Sequence, residues 1–426
     1  MLNFFWDKYI FSNINLDIFM KKELVVIDLG TSTVCATIAK YIGGKNKKIK
    51  ILGLGYRATK GLDYSRVISL SDVENSILDA ITIASDLAQK RVKSVIVSLP
   101  PWAVNSQIVE ISRDIDNTPI DNSVIRSMAN ECSVNNETII HIIPVNYFLD
   151  DVSEIKNPIG MTCKKLSAIF NILSVQKNLL NSLKNCFTKN NIEVSAFVSS
   201  AFMSAIAVTQ QNNSCITVLD IGSSCTSISC INDGVMVYSE HIPVGSNSIT
   251  RDIAFVLKIS EIEAERLKTV YGLSNDISQD QVLITTKNQY DEQNIQSVPS
   301  ETLSAIITAR IDDIFDIIKK HILDNGVTEE YYENIFITGG GSRLTGLNEY
   351  INLKSFIAGS SLSVKCPKDF SEERDYSGTA SFSASAGMLL YGFKLIPDID
   401  IVSYTVKDAD KISLFDKLKS LFKGKL

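Results

Sequence analysis

The sequence lacks the features that mark several large classes of protein. No apolar run approaches the roughly 18 residues that a membrane-spanning helix requires. The eight cysteines include no C-x-x-C pair, a pattern typical of reduced thiols in a cytosolic protein. There are three histidines, and no two of them, among His141, His241 and His321, have metal-ligand spacing. We therefore predict neither a disulfide scaffold nor a histidine metal centre.

An excess of positive charge is also missing. The net charge of −6 disfavours non-specific binding of nucleic acid by the molecule as a whole. What the chain does have is length and apolar content, with 426 residues of which 45% are hydrophobic. These values predict two or more domains built around buried sheets.

Residues 1–22 differ in character from the chain that follows. They are aromatic and apolar, but Asp7, Lys8 and Asp17 interrupt them and no small-residue cleavage site is present. We interpret them as an N-terminal extension and not as a secretory signal. A start at Met20 is the alternative.

Local patterns predict alternating strands and helices. LVVID, VCATIAK and IKILGLGYRA predict strands, and the stretch from Asp72 to Arg91 predicts a helix capped by Ser71 or Asp72, with Leu87 on its apolar stripe. Residues 101–174 predict a small α+β insertion with a polar helix around 121–134. A long amphipathic helix is predicted at 301–323, and residues 272–297 predict loop and edge strand.

One short pattern occurs twice. VVIDLGTSTVCATIA begins at Val25, and TVLDIGSSCTSISCI begins at Thr217. In each copy a strand leads to an aspartate and a glycine, and hydroxyl residues follow. The residues are Asp28, Gly30, Thr31, Ser32 and Thr33 in the first copy, and Asp220, Gly222, Ser223 and Ser224 in the second.

Such hairpins suit phosphate binding. The glycine permits a tight turn whose backbone N–H groups bind phosphate oxygens, and the aspartate can hold a hydrated cation. One copy alone would favour a plain hairpin, because such turns are common. Two copies about 190 residues apart indicate an internal repeat with a ligand cleft between its halves.

A third motif is FITGGGSRLTGL, in which Gly339, Gly340 and Gly341 follow a predicted strand. A helix is predicted to begin near Leu344. Backbone without side chains can lie flat against a planar ligand, and the helix start offers unpaired N–H groups. We predict contact with a nucleotide, and an ordinary strand-to-helix turn is the alternative.

The order of these motifs resembles that of the actin, Hsp70 and sugar-kinase superfamily, and more narrowly that of the FtsA family of bacterial cell-division proteins. The resemblance runs from Leu24 to Tyr391 and resumes in the terminal helix. Besides the three motifs, it rests on HIIPVNYFLD with IKNPIGM (141–161), IPVGSNSITRDIA (242–254), the A-E-x-x-K run Ala264 to Lys268, and SVPSETLSAIITARIDDIFDII (297–318).

The resemblance implies an α/β, actin-like fold with two lobes of duplicated, ribonuclease-H-like domains. The expected organisation is a 1–22 extension, subdomain 1A at 23–100, an inserted subdomain 1C at 101–174, a return to 1A at 175–216, subdomains 2A and 2B at 217–395 with a return to 1A near the end, a linker at 396–410 and a helix at 411–426.

The resemblance also implies ATP with Mg²⁺ in the cleft. It assigns the hairpin residues to the phosphates, Asp28 and Asp220 to Mg²⁺ through water, Glu265 and Lys268 to the ribose or base, and Gly339 to Gly341 to the adenosine. The resemblance also assigns Gly245 and Arg343 to this site. Without the resemblance, Glu265 and Lys268 would be interpreted as a solvated helical pair.

This sequence departs from the family pattern at one position. The second hairpin of the family commonly carries another carboxylate where Ser227 stands here. That carboxylate could orient the attacking water or a metal-bound water. We therefore expect nucleotide binding with weak or absent hydrolysis.

The last sixteen residues predict an amphipathic helix that lies on a membrane. Residues 411–426 contain five lysines and one aspartate. A short basic helix with one apolar face suits the headgroup region of anionic lipid, and a helix packed on its own domain is the alternative. The membrane contacts are expected from Ile412, Leu414, Phe415, Leu418, Lys419, Leu421, Phe422 and Lys423.

Taken together, the residues and the resemblance predict a scaffold that binds ATP and polymerises. It would tether FtsZ filaments, through the FtsZ C-terminal peptide, to the cytoplasmic face of the inner membrane at the division site, and would recruit later division proteins. A pilus-assembly relative of the same superfamily is one alternative, and it would not need the tail. A small-molecule kinase is another, which Ser227 disfavours because a kinase needs a catalytic carboxylate.

Overall fold

The computed structural model describes residues 23–43, 48–64, 66–151, 153–209, 215–273, 281–287, 293–325, 327–354, 356, 359–367, 379–393, 395 and 402–403. The N-terminal extension and the predicted membrane helix at 411–426 lie outside the described residues, as does all of the predicted linker except 402–403.

The strands of the described chain are β1 (Glu23–Leu29), β2 (Thr33–Gly43), β3 (Lys48–Ala58), β4 (Leu62–Asp63), β5 (Arg66–Val67), β6 (Ser94–Leu99), β7 (Val104–Asp114), β8 (Glu137–Leu149), β9 (Ser153–Ile155), β10 (Lys165–Gln176), β11 (Glu193–Ser199), β12 (Ile216–Ile221), β13 (Thr226–Asn232), β14 (Val235–Ile242), β15 (Gln281–Lys287), β16 (Gln293–Pro299), β17 (Asn334–Thr338), β18 (Ser361–Val364) and β19 (Val402–Ser403).

The α-helices are α1 (Leu70–Ala88), α2 (Asn122–Ala129), α3 (Lys177–Thr188), α4 (Ser200–Thr209), α5 (Asn247–Leu257), α6 (Glu261–Tyr271), α7 (Ser300–Asp324), α8 (Glu329–Tyr332), α9 (Leu347–Leu353) and α10 (Ser383–Gly392). Short 3₁₀ helices cover Pro101–Ala103, Gly340–Arg343 and Ala380–Phe382.

Two sheets share one topology, which confirms the internal repeat expected from the sequence. The first has the order β11-β6-β1-β2-β3, and the second has the order β18-β17-β12-β13-β14. In each, the strand that carries the motif aspartate pairs antiparallel with the next strand along the chain and parallel with a later one. Asp28 and Asp220 therefore occupy equivalent places in two equivalent sheets, and we call these two halves the first and second lobes.

Helices α4 and α10 connect the two lobes. Both are apolar on all sides and almost wholly buried, as expected of helices inside a large core. Helix α4 contacts β12 and β13 of the second sheet, whereas α10 contacts β1 and β6 of the first. The two helices pack closely because Gly387 has no side chain, since a Cβ there would collide with the carbonyl of Met203.

Helix α1 forms where its pattern predicts, but two details of the prediction are wrong. Its N-cap is Ser69, whose side chain accepts the Asp72 N–H, and not Ser71 or Asp72. The chain turns earlier because the Gly61 carbonyl accepts the N–H groups of Ile68 and Ser69. Leu87 is 51% exposed, since the helix packs through small residues against the glycines of β3.

Most of a separate antiparallel sheet is inserted in the chain between β6 and β11 of the first lobe. Its order is β19-β8-β10-β7, with β9 also paired to β8, and α2 packs against β7 and β10. Its core centres on Leu166, Phe170 and their neighbours. The polar helix predicted around 121–134 is shorter than expected, because α2 ends at Ala129.

The second lobe carries the hairpin β15–β16 and the long helix α7. The described part of the segment predicted as loop and edge strand forms this hairpin, and α7 confirms the amphipathic helix predicted at 301–323. Among the described helices, none has the length and apolar content needed to cross a bilayer.

Candidate functional site

The first hairpin joins β1 to β2. The Gly30 N–H donates to the Thr33 carbonyl at 3.2 Å, and a Cβ on Gly30 would lie 2.8 Å from that oxygen. The turn therefore needs glycine. Ser32 and Thr33 are exposed and Thr31 is partly exposed, so these hydroxyls are open to a ligand.

The second hairpin joins β12 to β13 and has the same geometry. The Gly222 N–H donates to the Cys225 carbonyl at 3.0 Å, and a Cβ on Gly222 would also lie 2.8 Å from its acceptor. Gly245 packs on this turn, because the next N–H, that of Ser246, donates to the Gly222 carbonyl at 2.9 Å. A Cβ on Gly245 would lie 2.5 Å from the Ser223 carbonyl oxygen, so this position also excludes a side chain.

The two hairpins face and touch each other. The Ser224 hydroxyl donates to the Thr31 hydroxyl at 2.8 Å. Asp28 and Asp220 lie deep between the lobes and remain partly accessible. Thus the duplicated motifs, which are distant in sequence, are in direct contact in the fold.

The two aspartates resist ionisation. The pKa of Asp28 is raised to about 6, chiefly by burial; the Ser98 hydroxyl, which donates to the carboxyl at 2.6 Å, lowers the pKa, and the nearby Asp220 charge raises it. Burial also raises the pKa of Asp220. A divalent cation between two such carboxylates would favour their charged forms.

The residues present fit a hydrated Mg²⁺. The described residues contain no cluster of three or more His, Cys, Asp or Glu side chains that could ligate a metal. Water would therefore complete the coordination shell, as Mg²⁺ prefers. Ser227 lies opposite Asp220 in the pairing of β12 with β13. Its buried hydroxyl has no hydrogen-bond partner among the described residues and is a further polar group beside Asp220.

The glycine motif packs directly on the second hairpin. Gly339 has φ +88°, and a Cβ there would collide with the carboxyl of Asp220. Gly340 is exposed, with only open space where its Cβ would lie, apart from the Ser381 hydroxyl at 3.9 Å. The helix start predicted near Leu344 is wrong: the glycines enter a 3₁₀ turn, and α9 begins at Leu347 after Gly346 reverses the chain at φ +78°. Arg343 is exposed and donates to Ser381 at 3.4 Å.

Glu265 and Lys268 are linked to the loop after Gly245. The Lys268 amino group is mostly buried, lies 2.6 Å from the Glu265 carboxylate and donates to the Thr250 hydroxyl at 2.9 Å and to the Ser246 carbonyl at 3.4 Å. Thr250 donates to the same Glu265 carboxylate. A freely solvated helical pair, which is the alternative interpretation, does not describe Lys268.

Most predicted ligand residues are thus linked, directly or through neighbours, by contacts around the two hairpins. Ser32, Thr33 and Gly340 are exposed. The sequence analysis missed Ser98, Thr59 and Thr250. Ser98 pairs with Asp28 on a parallel strand, and Thr59 donates to the Gly30 carbonyl at 2.7 Å. A hydroxyl at the end of the buried run KSVIVSLP is the one signal that could have indicated Ser98.

Comparisons with known proteins identify the family of the chain. The model of the family "Cell division protein FtsA" matches residues 217–387, and that of "SHS2 domain inserted in FTSA" matches residues 103–174. Together they cover more than half of the chain.

Curated relatives and solved structures extend the match. Cell division protein FtsA of Borreliella burgdorferi is 27% identical over 416 residues, which is 95% of this chain and 99% of the relative. That of Buchnera aphidicola subsp. Baizongia pistaciae is 25% identical over 88% of this chain and 92% of the relative.

Among solved structures, a PilM–PilN type IV pilus biogenesis complex aligns with a TM-score of 0.58 at 15% identity, over 87% of this chain and 98% of the other. MreB5 of Spiroplasma citri bound to ADP aligns with a TM-score of 0.53 at 14% identity, over 88% and 97%. These structures share the actin-like fold. The chain therefore belongs to the FtsA family of cell division proteins, with an actin-like fold and an inserted SHS2 domain.

Proposed function

We propose that this protein is an ATP-binding scaffold that tethers FtsZ filaments to the inner face of the cytoplasmic membrane during division. One observation carries the proposal: two equivalent hairpins touch through Ser224 and Thr31, and the aspartates that precede them, Asp28 and Asp220, lie close enough for the Asp220 charge to raise the pKa of Asp28. The MreB5 structures with ADP and with AMPPNP show that a protein of similar fold takes nucleotides.

In this proposal, backbone N–H groups and hydroxyls of both hairpins hold the phosphates, which is the task that their geometry suits. Gly339 and Gly341 keep the backbone close to the second hairpin, and the open face at Gly340 receives the adenosine. Glu265, held by Lys268 and Thr250, would accept hydrogen bonds from the ribose. Mg²⁺, when bound, would neutralise phosphate charge, and Asp28 and Asp220 would hold its water ligands.

Weak hydrolysis is part of the proposal. Ser227 takes the place in the hairpin where the family commonly has a carboxylate, and a hydroxyl is a poor proton acceptor at neutral pH. Bound ATP would then act mainly as a structural ligand that holds the lobes together and favours filament formation, in which the inserted sheet would contribute contacts between protomers.

Membrane attachment is assigned to the helix at 411–426, which the polar linker at 396–410 would place at a distance from the lobes. Its lysines number five against one aspartate, and each lysine near an anionic surface contributes about 1 kcal/mol. Burial of the apolar face adds to this, so the helix would order when it meets lipid.

Vesicle sedimentation tests the tether. Full-length chain with ATP, Mg²⁺ and purified FtsZ should carry FtsZ down with vesicles that contain anionic lipid. The double variant Phe415→Glu with Leu418→Glu should leave both proteins in the supernatant, whereas Ser413→Ala with Ser420→Ala, on the polar face, should behave as wild type. Equal sedimentation of FtsZ with the glutamate variant would contradict the proposal.

A further inference from the structure

The connection between β3 and α1 is anchored on the first hairpin. The Thr59 N–H donates to the Ser32 carbonyl at 2.9 Å, and its hydroxyl donates to the Gly30 carbonyl at 2.7 Å. The carbonyl of Gly61, at φ +79°, then accepts the N–H groups of Ile68 and Ser69, just before α1. The root of the short β4–β5 hairpin is thus fixed to the first lobe beside the phosphate-binding residues.

The tip of the same hairpin contacts the second lobe. The Tyr64 carbonyl lies 3.3 Å from the Ser224 hydroxyl of the second hairpin. The Arg251 guanidinium of α5 lies 4.3 Å from the centre of the Tyr64 ring, a favourable cation–π distance. Arg251 also lies 3.8 Å from Glu261, in an exposed ion pair. One aromatic residue of the first lobe therefore contacts two elements of the second.

The backbone of Tyr64 is unusual for its residue type. Its φ is +29°, in a region where glycine, asparagine and aspartate are common and bulky residues are rare. Such outliers persist where the surrounding contacts favour them, and they concentrate at sites that have a task. The contact with Arg251 is the feature that an asparagine or glycine in this turn would lose.

We propose that Tyr64 and Arg251 form a clasp between the lobes that slows the release of bound nucleotide. The inference rests on the proposed nucleotide site. Phosphates held between Thr31 and Ser224 leave when the two hairpins separate, and the clasp opposes that separation because it joins the same two lobes. Tyr64 and Arg251 are positioning residues, since they act through the spacing of the hairpins.

Nucleotide release tests the clasp. The full-length chain is loaded with N-methylanthraniloyl-ATP and Mg²⁺, and its dissociation is followed by fluorescence after addition of excess ATP. Tyr64→Asn removes the ring but suits the positive φ, and Arg251→Met removes the charge but keeps much of the length. Each should accelerate dissociation about three- to tenfold, as expected from loss of a cation–π contact, with little change in association rate or in melting temperature.

Three further variants make the result specific. Tyr64→Phe keeps the ring and should release nucleotide at the wild-type rate. Glu261→Gln breaks only the exposed ion pair of Arg251 and should also match wild type. The double variant Tyr64→Asn with Arg251→Met should be no faster than the faster single variant, because both remove one contact.

The outcomes separate this inference from the proposed function. Unchanged dissociation in Tyr64→Asn, or multiplied effects in the double variant, would overturn the clasp while wild-type binding upholds the nucleotide site. A wild-type chain that binds no analogue at all would overturn both.

Discussion

At the scale of single residues, the region around the two hairpins contains several groups whose burial lowers the stability of the folded protein. Asp28 has a pKa near 6 because it is largely removed from water, and Asp220 adds a second carboxylate nearby. Ser227 buries a hydroxyl for which the described residues offer no partner. Residues that lower the stability of the ligand-free protein, but that can bind a cation, are typical of a binding site.

The variant Asp28→Asn should stabilise the metal-free protein at neutral pH. The pKa of Asp28 is raised on folding, so its ionisation opposes folding; the penalty is small below pH 4 and is complete above about pH 6. The shift corresponds to about 2 kcal/mol once partial access to solvent is allowed for. Thermal melts between pH 4 and pH 8 should show a gain that grows with pH.

The control for this experiment is Asp79→Asn, at an exposed carboxylate that pairs with Arg57 on the surface. It should change the melting temperature little at any pH, because exposed pairs contribute little. A stability gain in Asp28→Asn that is the same at pH 4 and pH 8 would contradict the assignment of a raised pKa.

At the scale of elements, the contact between α4 and α10 fixes how the lobes meet. Gly387 lies where a Cβ would collide with the backbone of Met203, which cannot move aside easily. Gly392, in the same helix, would place a Cβ near side-chain ends of Leu24 and Ile96, and side chains can adjust. The two glycines therefore lie in the same helix, but one faces backbone atoms and the other faces side chains.

Gly387→Ala should destabilise the protein by about 1–3 kcal/mol, the usual cost of an overpacked core. Gly392→Ala should be close to neutral, since a gain in helix propensity of at most about 1 kcal/mol at this helix end offsets a mild clash. Urea unfolding of both variants checks this. If Gly387→Ala were as stable as Gly392→Ala, the close contact of the two helices would be wrong.

The same scale shows what the sequence can predict. The repeated hairpins and helix α7 were predictable because their signals, a glycine turn after apolar residues and a 3.6-residue period, are local. The caps were not. Ser69 caps α1 because Gly61 folds back on it, and α9 starts late because the three glycines enter a 3₁₀ turn.

At the scale of the whole molecule, the inserted sheet contacts the second lobe. Its buried Asn171 donates to the Met236 carbonyl of β14 at 3.1 Å, and Lys156 pairs with Asp233 at the tip of the β13–β14 turn. The bounds of the inserted segment could be predicted from changes in the sequence pattern, but these contacts could not be predicted. A side chain that meets a distant backbone carbonyl leaves no periodic signal in the sequence.

The candidate site likewise contains residues that could be predicted from the sequence and residues that could not. Its aspartates, glycines and hydroxyls were predictable because the motif occurs twice, and the meeting of the two copies followed from the repeat. Thr59, Tyr64 and Arg251 were not predictable, because their roles depend on how the β3–α1 connection crosses to the other lobe. Tyr64 carries no motif, and its positive φ is visible only in the fold.

Calorimetric titration of the full-length chain with ATP and Mg²⁺ tests the central claim most directly, because the claim requires one nucleotide held by both lobes at once. Wild type should bind one ATP per chain. Asp28→Asn in the first lobe and Asp220→Asn in the second should each weaken binding about tenfold or more through loss of the hydrated cation, while Asp79→Asn should not. Unchanged affinity in either cleft variant, or two ATP molecules bound per chain, would contradict a single site shared between the hairpins.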